Sequence, residues 1–428
     1  QKGAIAILID KKISYKKGIT YIRVNNVKES MAIIGKNFFQ NPCQKINLIG
    51  VTGTNGKTST VSFIKQILGY DCKVGSIGTI EIYDGKKTIT SINTTPESLD
   101  IQKNLNEMIK NNCKYCVMEV SSHALVLNRI DNIDYEAAVF TNLTQDHLDF
   151  HKTLENYKNA KEKLFYKTKS INIFNIDDKV GEEFFNKSLN RDIKTYTYGV
   201  EKEADFKAAN IKLYDDRTEY DLIIDKQKYK VSTPILGNFN VYNTLAAITT
   251  CILLGLSRED VIKRVQNLKS VSGRLDKVEN DKNVNIIVDY AHTPDALLNI
   301  LKSARLFTKN RIILVFGCGG NRDKAKRPIM GKIAQQNADI SIITSDNPRF
   351  EKEMDIIEDI LCGIDKTLDN YFVVQDREDS IKKAIELYEV GDLIIIAGKG
   401  HENYQIKCDK KYFFDDKLIA KKILDEKE

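Results

Sequence analysis

The stretch Ile46-Asn-Leu-Ile-Gly-Val-Thr-Gly-Thr-Asn-Gly-Lys-Thr58 passes from an apolar run into a glycine-rich turn and then into polar, helix-forming residues. The pattern predicts a buried strand ending near Val51, a loop, and a helix beginning near Lys57. Such a loop is a phosphate cradle. Gly53 and Gly56 let the backbone wrap with its N–H groups inward, Lys57 can reach the terminal phosphates, and the Thr58 hydroxyl can ligate Mg²⁺. Gly53, Thr54, Asn55, Gly56, Lys57 and Thr58 are therefore the expected ATP contacts. Val51 stands where the standard loop has its first glycine, a departure that leaves the strand, turn and helix context intact. Two uses of ATP fit these residues: formation of a covalent bond, or motion in an ATPase or switch protein.

From this stretch onward, short β-branched apolar runs recur at residues 46–51, 115–120, 137–141 and 171–176, and again at 285–289, 312–316, 340–344 and 393–397, with helical patterns between them. Continuous rather than alternating apolar character marks strands buried on both faces, so the fold class is α/β, with parallel sheets and crossover helices in two domains. Residues 194–233 alternate polar and apolar, as in Tyr220-Asp-Leu-Ile-Ile, and predict antiparallel strands on a domain edge. A helix over about 241–254 follows, and the boundary between the two domains falls near Val271.

A chain of 428 residues exceeds one compact domain and fits two or three. Hydrophobic residues at 42% and charged residues at 29% are ordinary for a soluble protein, and no apolar run reaches the roughly 20 residues of a membrane helix. No secretory signal is read at the start, so a cytoplasmic protein with no membrane partner is expected. The net charge of +6 is spread along the chain without a dense basic run, so no nucleic-acid partner is expected. Eight cysteines form no regular framework. Cys113 and Cys116 make a lone C-x-x-C, read as buried thiols in a reducing compartment rather than as a metal or redox pair.

In open parallel sheets ligands bind beyond the carboxyl ends of the strands. Polar residues crowd there repeatedly: Ser121-Ser-His-Ala124 after Glu119, Asn142-Leu-Thr-Gln-Asp-His147 after Thr141, Asp289-Tyr-Ala-His292, Gly319-Gly-Asn-Arg322, Asp346-Asn-Pro-Arg349 and Gly398-Lys-Gly-His-Glu402. The five histidines, at 123, 147, 151, 292 and 401, all lie in these crowds. Clustering raises His147 and His292 as functional candidates, while His123 and His151 read equally well as hydrogen-bonding loop residues. Glu119, Asp146 and His147 can supply metal ligands or a base.

Taken together these segments resemble the Mur ligase family, the ATP-dependent enzymes that assemble the peptide of peptidoglycan precursors. The series Gly53 to Thr58, Thr94-Thr-Pro-Glu97, Glu119 to His123, Asn142 to His147, Ala160-Lys161, Gly237-Asn-Phe-Asn-Val241, Gly273-Arg274, Asp289 to His292 and Asp346 to Arg349 follows the family's order over nearly the whole chain. The resemblance implies three domains: a UDP-sugar domain, present here as a remnant over 1–45; a central P-loop-type parallel-sheet ATPase domain over 46–270; and a C-terminal Rossmann-like domain over 271–428 that brings the amino acid. It also implies ATP contacts from Asn243, Arg274, Asp289 and His292, and a catalytic set of Lys57, Glu119, His147 and Lys161. Thr58, Glu119, His147 and Lys161 are implied Mg²⁺ ligands. Thr94, Thr95, Ser121, Arg129 and Lys161 are implied to hold UDP-N-acetylmuramoyl-L-alanyl-D-glutamate. The lysine at position 161 is carbamylated in the family, whereas its own lysine-rich helical setting, residues 157–165, reads as solvated surface.

Asp346-Asn-Pro-Arg349 is the segment that points to the amino acid. Arginine pairs bidentately with carboxylates, and meso-diaminopimelate carries a second carboxylate that lysine lacks. The resemblance agrees, because Asp-Asn-Pro-Arg marks the diaminopimelate-adding members, with Arg322, Asp346, Asn347, Pro348, Arg349, Gly398 and Glu402 as contacts. Ligases of L-lysine or glutamate, including folate polyglutamylating enzymes, and a non-catalytic nucleotide-binding relative are the alternatives. A monomer is expected. The chain is further expected to begin inside the UDP-sugar domain, with residues 3–9 as one of its late strands and the uridine contacts outside the sequence.

Overall fold

The computed structural model describes residues 3–214, 216–308 and 310–426, and the chain packs as two units. The first takes in the chain up to Leu143 with Phe150–Lys207 and Asn243–Val261; the second takes in Thr144–Asp149, Ala208–Tyr242 and the chain from Ile262 onward. The fold class is α/β, as expected.

The first unit is built on a sheet whose strands run, in spatial order, Lys194–Gly199, Thr168–Asn175, Tyr135–Phe140, Asn47–Thr52, Cys113–Glu119 and Lys73–Ile77. All these neighbours are parallel. Two short antiparallel strands, Glu81–Tyr83 and Thr88–Thr90, continue the sheet beyond Lys73–Ile77. The four central strands are apolar and buried because helices cover both faces, and Leu48, Ile77, Ile101, Leu105, Met118, Phe140 and Phe174 join one core. Asn47–Thr52 lies inside the sheet with later strands on either side. The chain therefore leaves it at a point where the strand order reverses, and that is where open sheets form ligand crevices. Ala6–Ile9 and Thr20–Arg23 pair in parallel as a separate two-stranded sheet.

One expectation needs correction. Residues 194–233 do not form antiparallel strands throughout: Lys194–Gly199 runs parallel to Thr168–Asn175. Its direction is set by the crossover helix Lys179–Ser188 rather than by its own half-buried alternation. Thr218–Ile224 and Gln227–Thr233 do pair antiparallel, around a tight turn in which Asp225 and Lys226 both take positive φ, the geometry that matches strand twist in short hairpins. The helix expected over 241–254 spans Asn238–Leu253.

The second unit's sheet has the order Asp276–Lys277, Ile286–Asp289, Leu393–Ala397, Ile312–Phe316, Ile340–Ile343 and Tyr371–Val373, parallel except for the first pair. Helices Pro294–Phe307, Lys326–Asn337 and Glu353–Leu361 contribute Leu297, Met330 and Ile357 to one core face. Arg377–Leu387 and Asp416–Glu426 contribute Ile381 and Leu424 to the other.

Candidate active site

In the first unit the strand Asn47–Thr52, the glycine-rich turn and the helix Lys57–Leu68 follow one another as their residues predict. Helix Lys57–Leu68 starts from Gly56 at φ 83°, with no side-chain cap. Both loop glycines are required by their neighbours. A Cβ on Gly53 would lie 1.9 Å from Thr141 Oγ1, and one on Gly56 would lie 2.3 Å from Asn243 Oδ1, which also puts Asn243 against the loop. Lys57 Nζ donates to the carbonyls of Gly53 and Thr54 at 2.9 and 2.8 Å, while Asn142 Oδ1 accepts from Asn55 N at 2.9 Å.

Glu119 ends its strand beside this loop, 1% exposed. Its carboxylate accepts from Thr58 Oγ1 at 3.0 Å, from Thr79 N at 2.7 Å and from Thr79 Oγ1 at 3.1 Å. Thr79 Oγ1 also lies 3.1 Å from Thr94 Oγ1, whose hydroxyl can donate to it; Thr79 was not foreseen, since a lone threonine after a strand carries no motif. Lys161 is also 1% exposed, with Nζ donating to Gly53 O at 2.7 Å and lying 4.5 Å from the centroid of the Tyr157 ring. The solvated-surface reading of its helix, Leu154–Glu162, therefore fails at this position: the lysine points inward onto the phosphate loop.

Thr95 Oγ1 donates to Glu119 O at 2.8 Å and accepts from Ser121 N at 3.0 Å; Arg129 Nη1 reaches Thr95 O at 3.0 Å and pairs with Glu97. Thr94, Thr95, Ser121 and Arg129 are thus one connected group. His123 and His151 belong to an aromatic cluster with Phe150 and Tyr157, and His151 Nε2 shares a 2.9 Å hydrogen bond with Ser122 Oγ, a packing role.

His147 lies in the second unit, at φ 54°, with Nε2 at 3.3 Å from Asp146. Among the described residues no three His, Cys, Asp or Glu side chains gather into a metal-binding group; of the four expected metal ligands, Thr58 and Glu119 are in direct contact.

In the second unit, Asp289 ends its strand with its carboxylate accepting from Leu275 N and Ala291 N, both at 2.8 Å. Burial pushes this carboxyl above the usual range. The Arg274 guanidinium lies 4.7 Å from the centroid of the Tyr290 ring, which His292 and His401 flank. Burial, assisted by Lys326 for His292 and by Arg274 for His401, pushes both imidazoles down to about 4. A histidine whose pKa is lowered on folding binds fewer protons folded than unfolded between its ordinary value near 6.5 and about 4. Its stabilisation is complete above that window and lost as the pH falls through it, with a slope of up to about 1.4 kcal/mol per pH unit for each such group. The buried acids Asp289 and Glu402, shifted upward, act in the opposite sense. We therefore expect denaturant unfolding at about pH 7 and about pH 4.5 to show a smaller loss of stability for the variant carrying both His292→Asn and His401→Asn than for the parent.

The expected amino-acid contacts come together around the turn after Ile340–Ile343. Asn347 Nδ2 donates to Glu402 Oε2 at 2.9 Å, and its Oδ1 accepts from Ile406 N at 2.8 Å. Gly398 sits so close to Asp346 that a Cβ would meet Oδ2 at 2.8 Å. Arg349 takes φ 53°, donates to Gly320 O at 2.8 Å, and is pinned by its backbone to Ile406 and Cys408. A Cβ on Gly319 would lie 2.8 Å from Arg349 Nη1 and 3.8 Å from Arg322 Cγ, so both arginines border one spot. Pro348 O packs on Gly320. Burial, then the like charge of Arg322, pushes the Arg349 guanidinium down, while burial, then Asp346, pushes the Glu402 carboxyl up. Lys399, fully buried with Nζ 3.6 Å from Glu402 and 3.4 Å from Asn347, is a member of this group that was not foreseen.

A glycine-rich turn with a carboxylate and a buried lysine beside it in the first unit, and a turn lined by arginines and carboxylates in the second, are the features of an ATP-dependent ligase of amino acids. The chain belongs to the Mur ligase family. Residues 51–251 match the Mur ligase middle domain and residues 273–400 the Mur ligase glutamate ligase domain. Among its relatives is the UDP-N-acetylmuramoyl-L-alanyl-D-glutamate--2,6-diaminopimelate ligase of Clostridioides difficile strain 630, 50% identical over 425 residues that cover 99% of this chain and 88% of the relative. The enzyme of the same name from Clostridium botulinum is 47% identical, covering 99% and 88%. A solved structure of a ligase with that name matches at 31% identity and TM-score 0.69, over 99% of this chain and 87% of the other. Mycobacterium tuberculosis folylpolyglutamate synthase, 15% identical with a TM-score of 0.71 over 87% and 93% of the chains, shares the fold.

Proposed function

We propose that the chain joins meso-diaminopimelate to UDP-N-acetylmuramoyl-L-alanyl-D-glutamate with ATP, forming ADP and phosphate, in peptidoglycan precursor synthesis. The observation that carries the choice of amino acid is the pair Arg322 and Arg349 bordering one spot beside Asn347 and Glu402. Two guanidinium groups suit a distal carboxylate, and Glu402 and Asp346 suit an ammonium; L-lysine would leave the arginines without a carboxylate partner. The names carried by relatives at 47–50% identity support the same assignment.

Joining a carboxylate to an amine in water is uphill. The carboxylate oxygen of the muramyl peptide first attacks the γ-phosphorus of ATP, breaking its bond to the bridging oxygen and releasing ADP. The amine of diaminopimelate then attacks the acyl phosphate carbon, phosphate leaves, and the nitrogen loses a proton. Two anions meet in the first step, so positive charge at the phosphates is the main requirement. On this reading the loop amides and Lys57 supply it, with Asn243, Arg274, Asp289 and His292 completing the ATP contacts. Thr94, Thr95, Ser121 and Arg129 hold the muramyl peptide. The adjacent oxygens of Thr58 and Glu119, 3.0 Å apart, fit a hard cation such as Mg²⁺, with His147 and a carbamylated Lys161 as the further ligands. When bound, that ion would neutralise phosphate charge.

We read residues 1–45, 46–270 and 271–428 as the UDP-sugar, ATPase and amino-acid portions. No described helix is long and apolar enough to cross a membrane, and a cytoplasmic monomer acting on small molecules fits the reaction. The test is phosphate release: it should require ATP, UDP-muramyl dipeptide and diaminopimelate together. Release that is independent of the amino acid would reject the ligase reading.

A further inference from the structure

We infer that the ion pair between the buried Arg327 and the partly buried Glu351 is a positioning device that holds Arg322 and Arg349 side by side, and so sets how strongly the enzyme grips the far carboxylate of its amino-acid substrate. The inference rests on the diaminopimelate reading above.

Arg327 lies in the first turn of helix Lys326–Asn337 and is fully buried. Large charged side chains are seldom buried unless paired. Here Nη1 and Nη2 meet Glu351 Oε2 and Oε1 at 2.9 and 3.0 Å, Nη1 meets Asp359 Oδ2 at 2.8 Å, and Nη2 reaches Gly319 O at 3.3 Å. Glu351 lies two residues beyond Arg349 and also accepts from the backbone N–H of Asn321, the neighbour of Arg322. Arg327 holds its carboxyl down to about 2, so the pair stays ionised at any working pH.

One carboxylate thus ties together the loop that carries Arg322 and the turn that carries Arg349. The two segments are laced at three further points: Gly320 N to Asn347 O at 2.9 Å, Phe350 N to Asn321 Oδ1 at 3.0 Å, and Arg349 Nη1 to Gly320 O at 2.8 Å. Gly320 approaches Pro348 so closely that a Cβ would lie 1.9 Å from its carbonyl oxygen.

The lacing answers a physical need. Two guanidinium groups in close quarters repel, and a flexible loop would let them part and bind water separately. Holding them together in advance moves the cost of their repulsion from the binding step to folding, and pairing with an anionic substrate group relieves it. On this account neither Arg327 nor Glu351 touches substrate; each acts through the arginines it places.

Glu351→Gln keeps the shape and removes the charge. We expect the KM for meso-diaminopimelate to rise about tenfold and the preference over L-lysine to shrink, while kcat and the KM for ATP change by less than about twofold. Asn321→Gly is a milder variant at an exposed residue with φ 52°, where glycine keeps the backbone and loses only the acceptor for Phe350 N. It should raise the diaminopimelate KM about threefold with the ATP KM unchanged, and it decides the matter if Glu351→Gln does not fold. A diaminopimelate KM unchanged in a folded variant, or a lower melting temperature with both KM values unmoved, overturns the inference while leaving the ligase assignment standing. A parent enzyme that does not use diaminopimelate overturns that assignment and this inference with it.

Discussion

Replacing Lys161 by alanine is expected to lower kcat by about a thousandfold, the scale set by removal of a charge-organising group from a transition-state site. The side chain is buried and ends on the carbonyl of Gly53, which also receives Lys57. It therefore sits at the backbone of the phosphate loop, where a carbamate on its nitrogen would add a negative, oxygen-bearing group for a cation. A purely structural lysine would, on truncation, lower the melting temperature and leave the turnover of the folded fraction intact. A carbamylated one would lose turnover and regain part of it when a small carboxylate such as acetate is supplied to fill the space. Turnover per folded molecule near the parent value would remove Lys161 from the catalytic set.

The second large effect belongs to Arg349. Arg349→Ala should raise the KM for meso-diaminopimelate about a hundredfold, since a charge-assisted bidentate pair contributes roughly 2–3 kcal/mol, and should leave the KM for ATP within about twofold of the parent. Arg349→Lys keeps the charge but loses the planar fork, and should fall between the two. The left-handed backbone at Arg349 is strained by any Cβ, a cost the parent arginine already bears, so neither variant adds backbone strain and both report on the guanidinium. Diaminopimelate dependence unchanged in both variants would return Arg349 to a surface turn.

The strands most completely legible in the amino-acid order were those buried on both faces: 312–316 and 393–397 were read to the residue, because continuous β-branched runs have one stable home. Lys194–Gly199 was read as a strand but with the wrong partner direction, since orientation depends on the crossover helix and not on local alternation. The phosphate loop was legible because its chemistry is local, six consecutive residues with glycines at the two positions that neighbouring side chains crowd. Lys161 was not legible from pattern, since helical spacing cannot say which lysine a tertiary neighbour will cover; only the family motif raised it. Arg327 and Arg377 were missed for the same reason. Charge predicts exposure, and their carboxylate partners, Glu351 and Asp416, stand 24 and 39 positions away. Thr79 and Lys399 likewise join their groups only through the fold.

The decisive experiment on amino-acid choice offers the enzyme equal concentrations of meso-diaminopimelate and L-lysine, with ATP and UDP-muramyl dipeptide, and weighs the UDP-linked product by mass spectrometry. The account predicts a product heavier by one diaminopimelyl residue, with the lysyl product at no more than about one part in a hundred. A mainly lysyl product, or a dipeptide that returns unchanged while ATP is consumed, would contradict it.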